Sequence, residues 1–297
     1  MSGIRSNEKQ KNAVKADWAQ NCQLPGKIQS AEEFRSAVWD FSQKYRRDFP
    51  WRQTRDPFAI FVSEIMLQQT QTQRVEPKYL EFLRHFSSFS DLAKASLQDV
   101  LALWSGLGYN RRAKFLLQSA RHISDVWNGI LPDDAHALLQ LPGVGPNTAG
   151  SLCAFIFNTP VVFIETNIRR VFLHYWFPQQ HDVPDSEILS LVESNLDYEN
   201  PREWYYALMD LGVALKKQTG NANTRSAAYV RQSPFEGSDR QLRGRILRML
   251  QQQTEINSSK LFTESGFPEY RIEKVIQALV SEEFIEYTPQ GSIRLRS

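Results

Sequence analysis

Cysteine is nearly missing from this sequence: Cys22 and Cys153 are the two that 297 residues contain. Two thiols build neither a disulfide framework nor a four-thiolate metal centre, and a reducing compartment suits them. Long apolar runs are missing too. No stretch approaches the roughly 18 uncharged apolar residues of a membrane-spanning helix. The polar segment from Met1 to Gln23 has no apolar signal core. A cytoplasmic protein with no membrane partner is the expectation. Tandem repeats and low-complexity tracts are absent as well. Excess charge of either sign is lacking, with 35 Lys and Arg against 33 Asp and Glu and a net charge of +2.

What remains is a chain with 41% apolar residues, 12% aromatic, enough for a sizeable core. Its length suits two domains, or one large domain with an appendage. The near-neutral total hides a local bias. Between Val213 and Leu250 stand eight basic residues (Lys216, Lys217, Arg225, Arg231, Arg240, Arg243, Arg245, Arg248) against Glu236 and Asp239. That surplus fits a polyanion-binding surface, and it fits a solvated linker equally well.

Residues 1–30 read as a polar, loosely ordered arm. From Ala31 to about Lys217, apolar residues recur at three- and four-residue spacing behind Ser, Asp, Asn or Pro starts. The pattern predicts helices over 31–45, 57–67, 73–85, 97–104, 111–127, 147–157, 167–176, 186–196 and 201–215. From Gln218 to Ser238 the composition turns to Asn, Thr, Ser, Gly and Gln, the mark of a linker or strap. Beyond it, helices over 240–252, 258–264 and 269–282 precede two brief strands around Pro289-Gln290-Gly291. This order suggests a winged-helix module.

The most informative segment is Leu141-Pro142-Gly143-Val144-Gly145-Pro146-Asn147-Thr148-Ala149, between two expected helices. Its glycines permit a tight turn that presents backbone N–H groups at a helix start, a site suited to a DNA phosphate. A Gly-x-Gly alone fits any helix–helix turn; the full hairpin between amphipathic helices favours DNA.

This hairpin resembles the helix-hairpin-helix of the endonuclease III and MutY superfamily of glycosylases. Other blocks match in order and spacing: Phe49-Pro50-Trp51-Arg52 with Asp56-Pro57, Ser63-Glu64-Ile65-Met66-Leu67-Gln68-Gln69-Thr70-Gln71 and Leu103-Trp104-Ser105-Gly106-Leu107-Gly108-Tyr109. Val162-Phe163-Ile164-Glu165-Thr166-Asn167-Ile168-Arg169-Arg170 and Tyr206-Ala207-Leu208-Met209-Asp210-Leu211-Gly212 extend the match to about residue 215. The resemblance implies an all-α, two-lobed helical HhH-GPD glycosylase fold over 31–217. After a basic linker (218–238) comes a small winged-helix-like α+β module (239–297).

It also implies a chemistry. Breaking an N-glycosidic bond builds positive charge on the deoxyribose, which a carboxylate stabilises, while a second acid protonates the departing base. By resemblance Glu165 is the carboxylate, Glu64 the proton donor and Asn167 the group that orients water and carboxylate. Gln68, Gln69 and Tyr109 would wedge the duplex and fill the gap left by an extruded nucleotide. Gly143, Val144, Gly145, Asn147 and Thr148 would hold phosphate, with Arg111, Arg112, Lys114 and Arg169 as further contacts.

Two positions depart from the family. Glu165 stands where the family has aspartate, and its added methylene lengthens the side chain by about 1.5 Å. A displacement near 1 Å at a reacting centre can cost about a hundredfold in rate. The expectation is a backbone that compensates; a DNA-structure binder that kept the fold and lost the chemistry is the other reading. Asn147 stands where bifunctional members place the lysine that forms a Schiff base, so the chain reads as monofunctional.

The family's cluster loop carries four cysteines after the segment matching Asp210–Gly212, and Val213–Ser238 has none, so no iron–sulfur cluster is expected. The resemblance leaves room for a sodium or potassium ion at the hairpin carbonyls. No counterpart of the MutY domain that reads 8-oxoguanine is expected, with the winged-helix-like module in its place. With Arg271 and Lys274 balanced by Glu269, Glu273 and Glu282, the module's last helix suits a protein partner as well as a groove. The expectation is a monomeric base-excision-repair glycosylase acting on duplex DNA with a mismatch or lesion. Adenine opposite guanine or 8-oxoguanine is the leading target. Thymine or uracil opposite guanine is the alternative, and a winged-helix transcription factor is the distant one.

Overall fold

A computed structural model describes residues 18–296. Positions 1–17 of the expected arm lie outside the described residues, and the rest of it is not loose. Ala19 and Cys22, three residues apart, are buried and give this polar stretch an apolar foothold. Gln218 Nε2 donates to the carbonyls of both at 2.8 Å, and the Tyr175 hydroxyl donates to Pro25 O at 3.2 Å.

The chain forms two compact units. One combines the described residues up to Phe49 with Gly145–Val230, and the other combines Pro50–Val144 with the chain from Arg231 onward.

The first unit is built on the helices Ala31–Tyr45, Pro146–Leu152, Thr166–Tyr175, Asp185–Ser194 and Pro201–Thr219. Ser30 starts the first of these by accepting Glu33 N–H, and Phe34, Val38 and Phe41 then fall on its buried face. Phe34 meets Trp176, Phe172 and Trp204 with ring centroids 4.5, 5.5 and 6.0 Å away. The long helix Pro201–Thr219 lies against both Ala31–Tyr45 and Thr166–Tyr175. The helix expected over 147–157 divides. It stays α-helical to Leu152, opens into a π turn over Cys153–Phe157, and stops at Asn158 with φ +61°. Within that turn Phe155 O accepts from the buried Arg202 guanidinium.

In the second unit, Asp56 caps the helix Pro57–Leu67 by accepting from Phe58 N and Ala59 N, with Pro57 preset for its first turn. This helix is buried almost all round; Phe89 packs edge-on to Phe58 and Phe61 at 5.2 and 5.5 Å. Thr72–His85 and Arg111–Val126 pack on it and Leu97–Trp104 packs on both of those, with short helices at Pro50–Gln53, Phe89–Ala93 and Ala135–Leu138. The winged-helix order is present: helices Asp239–Gln252, Ser258–Glu264 and Glu269–Ser281, then strands Ile285–Tyr287 and Ile293–Leu295. The strands pair antiparallel, Ile285 opposite Leu295 and Tyr287 opposite Ile293, and Ile256 bridges to Ile293. Their turn closes at Gly291, whose φ of +79° suits glycine. The helix Asp239–Gln252 also packs on Leu97–Trp104, so this module belongs to the second unit's body.

Candidate active site

The residues singled out in the sequence fall into two groups, one per unit. In the first unit Glu165 is the N-cap of the helix Thr166–Tyr175. One carboxylate oxygen accepts Asn167 N at 2.7 Å and Ile168 N at 2.9 Å, and the other accepts Asn167 Nδ2 at 3.2 Å. Glutamate is not a preferred cap, yet here the additional methylene lets the side chain curl back over its own helix start. Burial pushes its carboxyl above the usual carboxylate range. The Ile168 and Asn167 N–H groups, with the Arg170 charge, offset part of that rise.

Asn167 is oriented from behind. Buried Arg170 donates to Asn167 Oδ1 at 2.7 Å and to Gly212 O at 2.9 Å, so the Asn167 amide turns its NH2 toward Glu165. Gly212 makes this approach feasible: a Cβ there would sit 2.4 Å from Asn167 O and 2.7 Å from Asn167 Cβ. Gly212→Ala is therefore expected to cost about 1–3 kcal/mol by overpacking. Calorimetric melting checks this.

Asn147 has a second use. Its Oδ1 accepts Ile164 N at 3.1 Å, tying the hairpin's second helix to the residue before Glu165. Asn223 Nδ2 donates to Thr166 O at 2.9 Å, so the strap beyond Thr219 braces the same helix start. That strap holds a 3-10 turn, Ala222–Arg225, and is pinned by Val183 N to Arg225 O and Ala227 N to Val183 O.

Arg169 is not a free cation. It forms a bidentate pair with Asp185 at 2.9 and 2.6 Å, which neutralises its charge.

In the second unit Glu64 is half-buried among the buried Phe61, Ile65 and Met66 of its helix. Gln68 Nε2 donates to Gly143 O at 3.2 Å and so holds the hairpin's first half. Gly143 has φ +77°, and a Cβ there would meet Phe115 Cδ2 at 2.8 Å. Val144 is corrected as an anion donor, because its N–H turns back to Leu141 O at 3.1 Å and its side chain is buried. In the first unit Gly145 caps the helix that carries Asn147 and the half-buried Thr148. Gln69 is exposed at φ +55° and Tyr109 partly exposed at φ +48°. Backbone of this kind costs a non-glycine residue roughly 1–2 kcal/mol and persists where its surroundings hold it.

Arg112 supplies that hold and is corrected as a phosphate contact. Its buried guanidinium donates to the carbonyls of Ile65, Met66, Gln68, Leu107 and Gly108 and to Thr70 Oγ1. One side chain thus ties the Gln68–Thr70 and Leu107–Tyr109 loops together, and burial pulls it down to about 10. Arg111 pairs with Glu282, and Lys114 with Glu283.

The basic run is partly spent inside the fold. Arg225 donates to Leu173 O, Arg243 pairs with Glu282, and Arg245 donates to Glu264 O.

Against known proteins, the model of the HhH-GPD superfamily of base excision DNA repair proteins matches residues 62–193. The adenine DNA glycosylase of Mycobacterium tuberculosis is 35% identical over 232 residues, covering 70% of this chain and 75% of that protein. The chain belongs to the HhH-GPD superfamily. Another relative of this HhH-GPD chain, the adenine DNA glycosylase of Buchnera aphidicola subsp. Baizongia pistaciae, is 33% identical over 171 residues. That match covers 57% of this chain and 49% of that protein, so the chain spans about half the length of such relatives. Among solved structures, a thermostable thymine-DNA glycosylase is similar at 28% identity and a TM-score of 0.55, covering 61% of this chain and 85% of that one.

Proposed function

We propose that this HhH-GPD chain is a monofunctional DNA N-glycosylase that removes a mispaired or damaged base from duplex DNA, with adenine its leading target. One observation carries the reading: the Glu165 carboxylate is fixed by two backbone N–H groups and by an asparagine that is itself oriented from behind. A carboxylate held in this way meets a developing positive charge without reorganising. Glu64 gives the departing base its proton, and Glu165 stabilises the sugar cation until water adds. Asn147 has no amine to form a Schiff base, so the strand stays intact. Residues 31–217 are the catalytic portion, and 239–297 form an accessory module.

We infer that it works without an iron–sulfur cluster. The two cysteines in the whole sequence fall short of the four thiolates such a centre takes, and the strap through Asn223 and Arg225 braces the helix of Glu165 directly. The likeness to a thymine-DNA glycosylase supports a second target reading, thymine or uracil opposite guanine.

The test is excision by the purified chain and its Glu64→Gln variant. The duplex panel carries adenine opposite guanine or 8-oxoguanine, thymine and uracil opposite guanine, and oxidised or alkylated bases. Alkali is added afterwards to cut abasic sites. Product from one substrate that falls about 10²–10⁴-fold in the variant supports the reading and names the base. Binding without product from any duplex overturns it in favour of a DNA-structure binder.

A further inference from the structure

Tyr109 stands at the end of a loop that turns through Gly106 at φ +94° and Gly108 at φ +73°. Its hydroxyl accepts Arg240 Nη1 at 3.0 Å and the side-chain amide of Gln232, and the Arg240 guanidinium also lies 6.0 Å from the ring centroid. Arg240 is itself braced by Ser233 O at 2.6 Å. The Arg112 guanidinium is 5.4 Å from the same ring. Nearby a second tie joins the same partners. Glu282, just past the module's last helix, takes Arg111 Nε at 2.8 Å and Arg243 Nη1 at 3.0 Å. Burial alone would raise the Glu282 carboxyl; hydrogen bonds from Arg111 and Arg243, with their charges, hold it at about 2, so this tie is ionised at any physiological pH.

Tyr109 is thus a residue in left-handed backbone whose polar end is gripped from beyond position 230. We propose that Gln232 and Arg240 are positioning residues for Tyr109, which makes the C-terminal module a working part of the DNA-engaging surface. The proposal rests on the glycosylase reading only in that DNA is what Tyr109 meets. Two observations favour positioning over simple bracing. Arg240 and Gln232 converge on one atom, the hydroxyl, and that hydroxyl belongs to a partly exposed ring rather than to the buried core.

The test uses the full chain with Tyr109→Phe, Arg240→Ala, Gln232→Ala and the Tyr109→Phe/Arg240→Ala double variant. Amide hydrogen exchange over residues 105–110 is read without DNA. Affinity is read for a duplex holding a tetrahydrofuran abasic analogue relative to the intact duplex. Exchange over the loop is expected to rise in each single variant. The affinity ratio is expected to fall about fivefold to tenfold, the size of one or two lost hydrogen bonds. The double variant should fall little further than Tyr109→Phe alone, because the hydroxyl that Arg240 reaches is already gone. If Tyr109→Phe keeps the ratio while Arg240→Ala weakens both duplexes alike, Arg240 is an ordinary phosphate contact and the proposal is overturned. Unchanged exchange overturns it as well. A wild-type chain with no preference for the abasic duplex instead defeats the glycosylase reading and the DNA use of Tyr109, while the exchange result still decides whether the clamp exists.

Discussion

Glu165→Gln is expected to lower single-turnover excision by at least about 10²–10³-fold, the loss that follows removal of one preorganised electrostatic partner. Stability should fall by about 1–3 kcal/mol, because the glutamine NH2 replaces the oxygen that accepts Asn167 Nδ2. Glutamine is nearly isosteric, and its carbonyl still accepts the N–H groups of Asn167 and Ile168 that Glu165 now satisfies. The helix therefore keeps its cap and loses the charge. Binding to an abasic duplex should survive, since no bond to phosphate is removed. Glu165→Asp keeps the charge and is itself a good cap, but falls short in reach; it should retain more activity than Glu165→Gln. Equal activity in Glu165→Gln and wild type would take Glu165 out of the chemistry.

The same residue sets the pH dependence. Its carboxyl is raised, chiefly by burial, and the chemistry proposed for it uses the ionised form. Activity should therefore fall as pH drops through a value above the ordinary glutamate range, and Glu165→Gln should lack this limb. Folding is linked in the opposite sense. A carboxyl raised in the folded state contributes stability that is fully present below its unfolded value and lost as pH rises through the folded one.

The outline of the fold was legible from side-chain spacing. Asp56-Pro57 marks the start of the helix Pro57–Leu67, and the apolar run that follows carries it to the observed end. Pro50–Gln53, Phe89–Ala93 and Ala135–Leu138 are shorter than two turns, so no periodicity can develop in them. Ser88 and Asp134 are nonetheless capping signals that could have found the last two. Glu165 and Asn167 were legible as a pair through the family's order of motifs, and their separation of two residues makes the N-cap geometry local. What holds them was not legible. Arg170 reaches across 42 positions to Gly212 O, Asn223 across 57 to Thr166 O, and Asn147 takes Ile164 N across 17. Arginines mislead in sequence for the same reason. Arg112 reads as a phosphate contact, yet its five donors suit a place where several carbonyls converge. Only the fold brings Ile65, Met66, Gln68, Leu107 and Gly108 to one spot.

Asp210→Ala is expected to bring the largest loss of stability, about 3–5 kcal/mol, as when one partner of a buried ion pair is removed. A domain's whole stability is about 5–15 kcal/mol, so this loss is a large share of it. Asp210 is fully buried and accepts both Arg47 N at 2.9 Å and Arg47 Nε at 2.7 Å. The guanidinium lies 5.2 Å from the ring centroids of both Trp18 and Phe49. Alanine would take the Asp210 carboxylate away from that cation and from the Arg47 N–H. Asp210→Asn keeps an acceptor for the backbone N–H and should lose less. Chemical denaturation measures the loss, and Cys22 reports on its cause. Burial first, then the Asp210 charge, pushes the Cys22 thiol up to about 11, while Arg47 pulls it down. Removing Asp210 takes away one raising charge and leaves the lowering one, so the thiol should react with alkylating reagents at lower pH while the chain is still folded. A midpoint that falls without that change would mean that the instability arises from packing around Asp210, and the ion pair would not be its source.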